Sequence, residues 1–329
     1  MPIRSGTRDG SRIYRGSLVA DVLDDANLAS VKKMNRLTLR HIVCPVDLSG
    51  HFGPPLAWAM AMARARNAEL RALYVVAGES VAAMEAPGSV ELQNLRQRLR
   101  AVLNEAAADQ DLIGSSVRHG DPATQILDFA RGMSADLIVM GSPGADKPER
   151  PVGPVASVVI ARSDCPVLTV PAHRAAPANE SGVFSRIVCG IDLAPSSRSV
   201  IRQALSLAWE SGGRLTYVCA VPETSAKSPS QARDILMRAI PSEAAQWCEV
   251  HIILTVGAAS AEIVRCADED DADLVVIGAP RRLMSTTHAV LGQTRCPVLV
   301  THDVHPLPWP TVQVTRHSGI EVGMNQTRM

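Results

Sequence analysis

The sequence predicts an α/β protein made of two tandem open parallel five-stranded sheets, each with helices on both faces. Three observations carry that reading. The 329 residues contain a long internal repeat. Each copy is long enough to be a domain. Within each copy, short apolar runs alternate with helix-periodic segments over short connections, the pattern of a parallel sheet. The repeat is explicit: HIVCPVDLS at 41–49 recurs as RIVCGIDLA at 186–194, ADLIVMGSP at 135–143 as ADLVVIGAP at 272–280, and CPVLTV at 165–170 as CPVLVT at 296–301. Asp47 and Asp192 are 145 positions apart, Gly141 and Gly278 137, Cys165 and Cys296 131. The shrinking offset means that the second copy has lost residues in two places.

In the first copy, Ile42 to Val46 is a continuous apolar run, as expected of a strand covered on both faces. Pro54 and Pro55 then open a helix over LAWAMAMARARN. Leu70 to Val76 reads as a second strand, and Leu92, Leu95, Leu99 and Val102 space a helix from Val90 to Ala108. Ser115 to His119 is a third strand. Asp121-Pro122 is a helix start, with aspartate as N-cap and proline at the first helical position. That helix ends near Gly132. Leu137 to Met140, Val155 to Ala161 and Val167 to Val170 complete the copy as strand, helix and strand.

The second copy repeats the order. Its strands are Ile187 to Ile191, Arg214 to Ala220, His251 to Thr255, Leu274 to Ile277 and Val298 to Val300. Its helices are Ser199 to Trp209, Gln231 to Ala239 and Ala259 to Ala267. The chain therefore divides into an N-terminal extension (1–37), a first domain (38–173), a linker (174–184), a second domain (185–302) and a C-terminal tail (303–329). In the extension, Leu18, Val19, Val22, Leu23 and Ala26 predict a short docking helix, and Arg4, Arg8, Arg12 and Arg15 a solvated tail rather than a binding arm.

Composition narrows the function. Lysine plus arginine (33) balances aspartate plus glutamate (33), so no global field draws the chain to nucleic acid or anionic membrane. Aromatic residues are only 3%, which argues against base-stacking surfaces. The seven cysteines include no C-x-x-C pair, the first residues lack a secretory apolar stretch, and the expectation is a cytoplasmic protein with reduced thiols. Cys44 with Cys189, and Cys165 with Cys296, occupy equivalent repeat positions and read as buried, inert core thiols.

In an open parallel sheet, ligands sit beyond the carboxyl ends of the strands where strand order reverses. That directs attention to Pro45, Val46 and Asp47 after the first strand, and to Gly141, Gly144 and Gly153 after the fourth. Glycines there let backbone N–H groups turn toward a phosphate, and a helix N-terminus adds its positive end. The plainer alternative is that Gly141 and Gly144 only make a turn and that Asp47 is a cap or turn residue.

These residues carry a resemblance. Residues 38–171 look like a universal stress protein domain and 185–302 like a second one in tandem. The resemblance rests on Asp47 and Asp192 ending the first strands, on Gly120-Asp121-Pro122, on the glycines after the fourth strand, and on the closing Cys165-Pro166-Val167-Leu168 and Cys296-Pro297-Val298-Leu299. It implies a Rossmann-like, adenine-nucleotide alpha-hydrolase-like fold and a nucleotide site in binding members of the family. By the same resemblance Pro45, Val46, Asp47 and Val75 would surround adenine and ribose. Met140, Gly141, Gly144, Gly153, Pro154 and Val155 would line the phosphates of an ATP with Mg2+. Val75 and Met140 are strand core whether or not a ligand binds.

The family's signature is imperfectly kept. Eight residues, not nine, separate Gly144 from Gly153, and the next position, serine or threonine in binding members, is Pro154. Proline has neither a hydroxyl nor a backbone N–H. Each charge-assisted hydrogen bond lost to a phosphate costs about 1.5–3 kcal/mol, roughly ten- to a hundredfold in affinity. Asp146 and Glu149 also add like charge, against Lys147 and Arg150. In the second copy Arg281 and Met284 replace glycines, and 18 positions separate Gly278 from Cys296 where the first copy has 24 between Gly141 and Cys165. The second site is expected to hold no nucleotide.

Other constellations fail. Ser211-Gly212-Gly213 is followed by Arg214 and precedes a strand, so it reads as a helix-ending turn and not a pyrophosphate loop. No Walker A, G-x-G-x-x-G or H-E-x-x-H motif is present. His119 and Asp121 alone do not make a metal site. No nucleophile, base and orienting group converge, so the expectation is a non-catalytic stress-response module with at most weak nucleotide binding in its first domain. The alternatives are an ATP-binding sensor or slow ATPase using that domain, and a scaffold whose tails bind a partner. Self-association is expected through the last strand of each copy, within the chain or between chains, with no nucleic-acid or membrane partner.

Overall fold

The computed structural model describes residues 4–8, 11–17, 39–47, 53–77, 90–106, 113–142, 152–175, 184–194, 197–221, 229–240, 244–278 and 285–302. The first half runs β3 (His41–Val46), α1 (Gly53–Arg66), β4 (Glu69–Val76), α2 (Val90–Ala106), β5 (Ile113–His119), α3 (Pro122–Gly132), β6 (Leu137–Ser142), α4 (Pro154–Arg162) and β7 (Val167–Pro171). The second half runs β8 (Arg186–Ile191), α5 (Ser197–Ser211), β9 (Arg214–Val221), α6 (Pro229–Ala239), α7 (Ala244–Trp247), β10 (Glu249–Val256), α8 (Ala259–Glu269), β11 (Leu274–Gly278), α9 (Ser285–Gln293) and β12 (Val298–Thr301). Two strands precede them, β1 (Arg4–Arg8) and β2 (Ser11–Ser17).

All twelve strands form one sheet, ordered β1-β2-β10-β9-β8-β11-β12-β7-β6-β3-β4-β5. Within each half the neighbours are parallel, and the halves join where β12 pairs antiparallel with β7. The two five-stranded units are thus continuous, and pairing of the last strands inside the chain is the arrangement present here. Apolar residues cover both faces. Leu56, Leu70, Ile187 and Leu205 belong to one buried cluster that spans the halves, and Ile138, Ile160, Val275 and Val290 belong to another.

Local chemistry fixes the strand starts. Asp136, just ahead of β6, accepts hydrogen bonds from the backbone N–H groups of Arg40 (2.7 Å) and His41 (2.9 Å). Asp273 does the same for Ser185 (2.8 Å) and Arg186 (3.1 Å). The repeated Ala-Asp-Leu therefore ties the first strand of each half to the fourth. Helix α5 ends with Gly212 at φ 61° and the Gly213 N–H bonded to the Ala208 carbonyl, the helix-ending turn expected from the sequence.

Three expectations are corrected. Arg4, Arg8, Arg12 and Arg15 do not lie in a featureless tail: β1 and β2 form a hairpin, and β2 pairs antiparallel with β10. The fourth strand does not stop at Met140 but takes in Gly141 and Ser142, which pair with Val170 and Pro171. Helices α7 and α9 fall where the sequence pattern assigns no element. The docking helix expected at 18–26, most of the linker and all of the C-terminal tail lie outside the described residues.

Candidate functional site

The strand order reverses between β3 and β6 in the first half and between β8 and β11 in the second, so a crevice is expected at the carboxyl ends of each pair. The two crevices are built differently. In the first half the β3–β6 ladder covers only Ile42↔Leu137 and Val43↔Ile138. Two residues on stands Pro45, which has no N–H to donate. In the second half the ladder continues through Ile277↔Gly190. Proline opens the first crevice; glycine lets the second one close.

Alternation along the strands decides which side chains face the first crevice. Met140 is buried in the cluster that underlies α3 and α4, and Val75 and Val155 pack half-buried against it. Pro45, two residues from Val43 of the same cluster, shares that face and is half-buried. Pro45, Val75, Met140 and Val155 thus line one apolar face at the carboxyl ends of β3, β4 and β6. Val46 lies on the opposite face, buried with Leu56 and Trp58, so only its backbone faces the crevice. Asp47 follows β3 and is exposed, and no described residue hydrogen-bonds its carboxylate.

The residues expected to line phosphates begin at α4. Gly153 is its N-cap (φ −68°, ψ 158°), and its carbonyl accepts the Ser157 N–H at 2.9 Å. No side chain caps this helix, and exposed Pro154 occupies the first helical position. Two donors that a serine would aim at an anion are therefore missing. Gly141 is exposed in β6, and a Cβ there would stand 3.3 Å from Pro55 Cγ of α1. Its smallness already has a use in helix-on-strand packing. Gly144, Asp146, Lys147, Glu149 and Arg150 lie outside the described residues.

At the neighbouring edge, Gly120 (φ 124°) donates its N–H to the Val76 carbonyl at 3.0 Å, and Asp121 caps α3. The hydroxyl (2.7 Å) and N–H (2.9 Å) of Thr124 both donate to Asp121 Oδ2 and hold its carboxyl below the ordinary aspartate value. Asp121 is committed to this cap.

The second crevice is filled. Gly190 leaves room for Ile263 of α8: a Cβ on Gly190 would stand 2.4 Å from Ile263 Cδ1 and 3.1 Å from Ile277 Cγ2. Asp192 is also spent locally. Its Oδ1 accepts the Ala194 N–H (2.9 Å) and the Ser197 hydroxyl, and its own N–H donates to Ser197 Oγ (3.1 Å). The carboxylate caps the entrance to α5. The Pro45/Gly190 difference, visible when the copies are aligned, is the signal the sequence reading passed over. Arg281 and Met284 lie outside the described residues.

Chemistry elsewhere is muted. Six of the seven cysteines are buried and Cys165 half-buried. Burial pushes the Cys44, Cys248 and Cys296 thiols up to about 12, and Cys165 and Cys266 to about 11. Among the described residues, no group of three or more His, Cys, Asp or Glu side chains is placed to hold a metal ion. No helix among them is long and apolar enough to cross a membrane.

Comparison with known proteins agrees with this architecture. The model of the universal stress protein family matches twice, at residues 38–171 and 184–302. A universal stress protein of Methanocaldococcus jannaschii is 33% identical over 150 residues, covering 44% of this chain and 88% of that protein. The crystal structure of a universal stress protein from Archaeoglobus fulgidus superposes with a TM-score of 0.63 at 18% identity, covering 81% of this chain and 97% of the other. A universal stress protein solved in complex with cAMP matches over 37% of this chain and 98% of its own, with 25% identity and a TM-score of 0.32.

Proposed function

The chain belongs to the universal stress protein family, and on that premise we propose that it is a cytoplasmic, non-catalytic stress-response protein with two domains, 38–173 and 185–302. In this reading only the first domain offers a nucleotide crevice, and its grip on phosphate is weakened. The asymmetry of equivalent positions supports it most: Pro45 against Gly190, and exposed Asp47 against Asp192, which is bound to Ser197 and Ala194.

The fit to an adenine nucleotide is uneven. Val75, Met140, Val155 and Pro45 present an apolar face suited to a purine, and Asp47 is exposed for the ribose hydroxyls. The uncapped N-terminus of α4 offers its positive end to a phosphate. Pro154 subtracts a hydroxyl and an N–H from that end, so a triphosphate with Mg2+ would be held weakly. Asp47 is assigned here to the ribose and not to the γ-phosphate, and binding without turnover is the chemistry this reading favours.

Titration calorimetry with ATP and Mg2+ at millimolar ligand tests the proposal. It expects weak, saturable binding with one site per chain, and no phosphate release above the uncatalysed background. Tight binding with steady hydrolysis would instead favour an ATP-driven sensor. Two equal sites would contradict the assignment of the crevice to the first domain alone.

A further inference from the structure

The last strands of the two halves pair with each other, so the edge each would otherwise expose is used up inside the chain. The sheet then ends at β1 on one side and β5 on the other. We propose that β5 is a self-association edge, on which a second copy of this chain lays its own β5 antiparallel about a two-fold axis at Ser116.

The repeat itself shows what such an edge takes. β5 and β10 are equivalent strands. Each runs parallel to its inner neighbour and ends at a glycine of positive φ, Gly120 and Gly257, whose N–H donates to the last residue of that neighbour, Val76 and Val221. β10 is covered by an antiparallel strand of this chain, with Ile252 opposite Gly16 and Leu254 opposite Tyr14. Among the described residues no strand covers β5. An unpaired edge is a template for another strand.

The direction of the backbone groups follows from Gly120. Since its N–H faces β4, so do those of Arg118, Ser116 and Gly114, because consecutive residues of a strand alternate. Ile113, Ser115 and Val117 therefore turn N–H and C=O outward. Ser115 and Val117 stand where Ile252 and Leu254 stand in β10. The edge carries no proline or lysine to guard it, and Ile113 and Val117 pack only partly into the core.

Symmetry selects the occupant. A two-fold axis normal to the sheet returns each face to itself, so opposed residues must share parity, and an axis through the midpoint Ser116 pairs Ser115 with Val117 by reciprocal hydrogen bonds. It sets Arg118 opposite Gly114, over which the Arg71 side chain of β4 lies with its guanidinium paired to Glu69 at 2.6 Å, so the one close approach of like charges is to an arginine already neutralised. Pairing of β5 with the β1 of another copy would be head-to-tail and open-ended.

Light scattering of the full chain over a range of concentrations is the test, and it should find a dimer. Ser115→Pro removes an outward N–H and spares those that bond β4, so it should give a monomer with unchanged circular dichroism. Ser116→Cys, oxidised in an otherwise native chain, should form an interchain disulfide, since opposed non-hydrogen-bonded residues lie about 4.5 Å apart at Cα. A monomer at every concentration would overturn the proposal, as would a dimer in which Ser116→Cys fails to cross-link. So would a well-folded Ser115→Pro dimer, or a mass that keeps growing with concentration.

Discussion

Leu168 of β7 lies directly opposite Leu299 of β12 across the antiparallel seam, and the two are the same residue of the repeat. The pseudo-two-fold axis of the molecule passes through this pair. The halves meet as two subunits of a dimer would, but within one chain. Thr169 adds a hydroxyl bond to the Val298 carbonyl at 3.2 Å. Leu168 and Leu299 are 1% and 4% exposed, so truncating either leaves a cavity. Leu168→Ala should lower the unfolding free energy by about 2–5 kcal/mol. Urea denaturation measures it, and a variant as stable as the parent would place the seam's contribution elsewhere.

A second tie crosses the same boundary on the α1 face. Arg66 at the end of α1 pairs with Glu210 near the end of α5 (2.5 Å), with side chains 9% and 18% exposed. Trp58 stacks on Phe184 with ring centroids 5.6 Å apart, and its indole N–H donates to the Ala175 carbonyl. Removing one member of a buried pair strands the other's charge. Glu210→Ala should therefore cost about 3–5 kcal/mol, while Arg66→Met with Glu210→Leu should come close to the parent. A double-mutant cycle by denaturant unfolding separates the two outcomes.

The buried thiols make a pH prediction. Burial pushes the Cys44, Cys248 and Cys296 thiols up to about 12 and Cys165 and Cys266 to about 11, and raises Cys189 as well. A raised folded pKa contributes stability that is fully present below the unfolded value and is lost as pH rises through the folded one. The protein should hold its stability through neutral pH and lose it progressively from about pH 9 upward. Native thiols should react slowly with a maleimide or disulfide reagent at pH 8, half-buried Cys165 first, and all seven quickly after unfolding. Rapid labelling of Cys44 or Cys189 in the native protein would contradict this.

Pro154 can be tested by restoring what it removes. Pro154→Ser returns a hydroxyl and an N–H at the first turn of α4, where proline is otherwise well placed. If nucleotide sits against this turn, the variant should bind ATP roughly ten- to a hundredfold more tightly for each bond regained. Unchanged affinity in calorimetry would move the phosphates away from α4.

Much of this was legible in the sequence. The apolar runs at 42–46 and 187–191, the Asp121-Pro122 start and the Gly212-Gly213 stop fall where the structure puts them, because buried parallel strands and helix caps have local signatures. Gly141 misled, since its place inside β6 rests on pairing with Val170, distant in sequence. The hairpin of β1 and β2 is rich in arginine and glycine and gains its order from pairing with β10, which no local pattern announces. Helix α9, STTHAVLGQ, has no acidic first turn or basic last turn to mark it. At the site, the residue types were readable but the different fates of the two aspartates were not. Asp192 is spent because Ser197 folds back onto it five residues on.

The central claim is that the two halves share a fold but not a site. The most direct measurement compares ATP binding by Asp47→Ala and Asp192→Ala, each titrated by calorimetry beside the parent chain. Loss of binding in Asp47→Ala, with parental binding kept in Asp192→Ala, is the result predicted here. Equal losses in both variants, or a loss confined to Asp192→Ala, would contradict it.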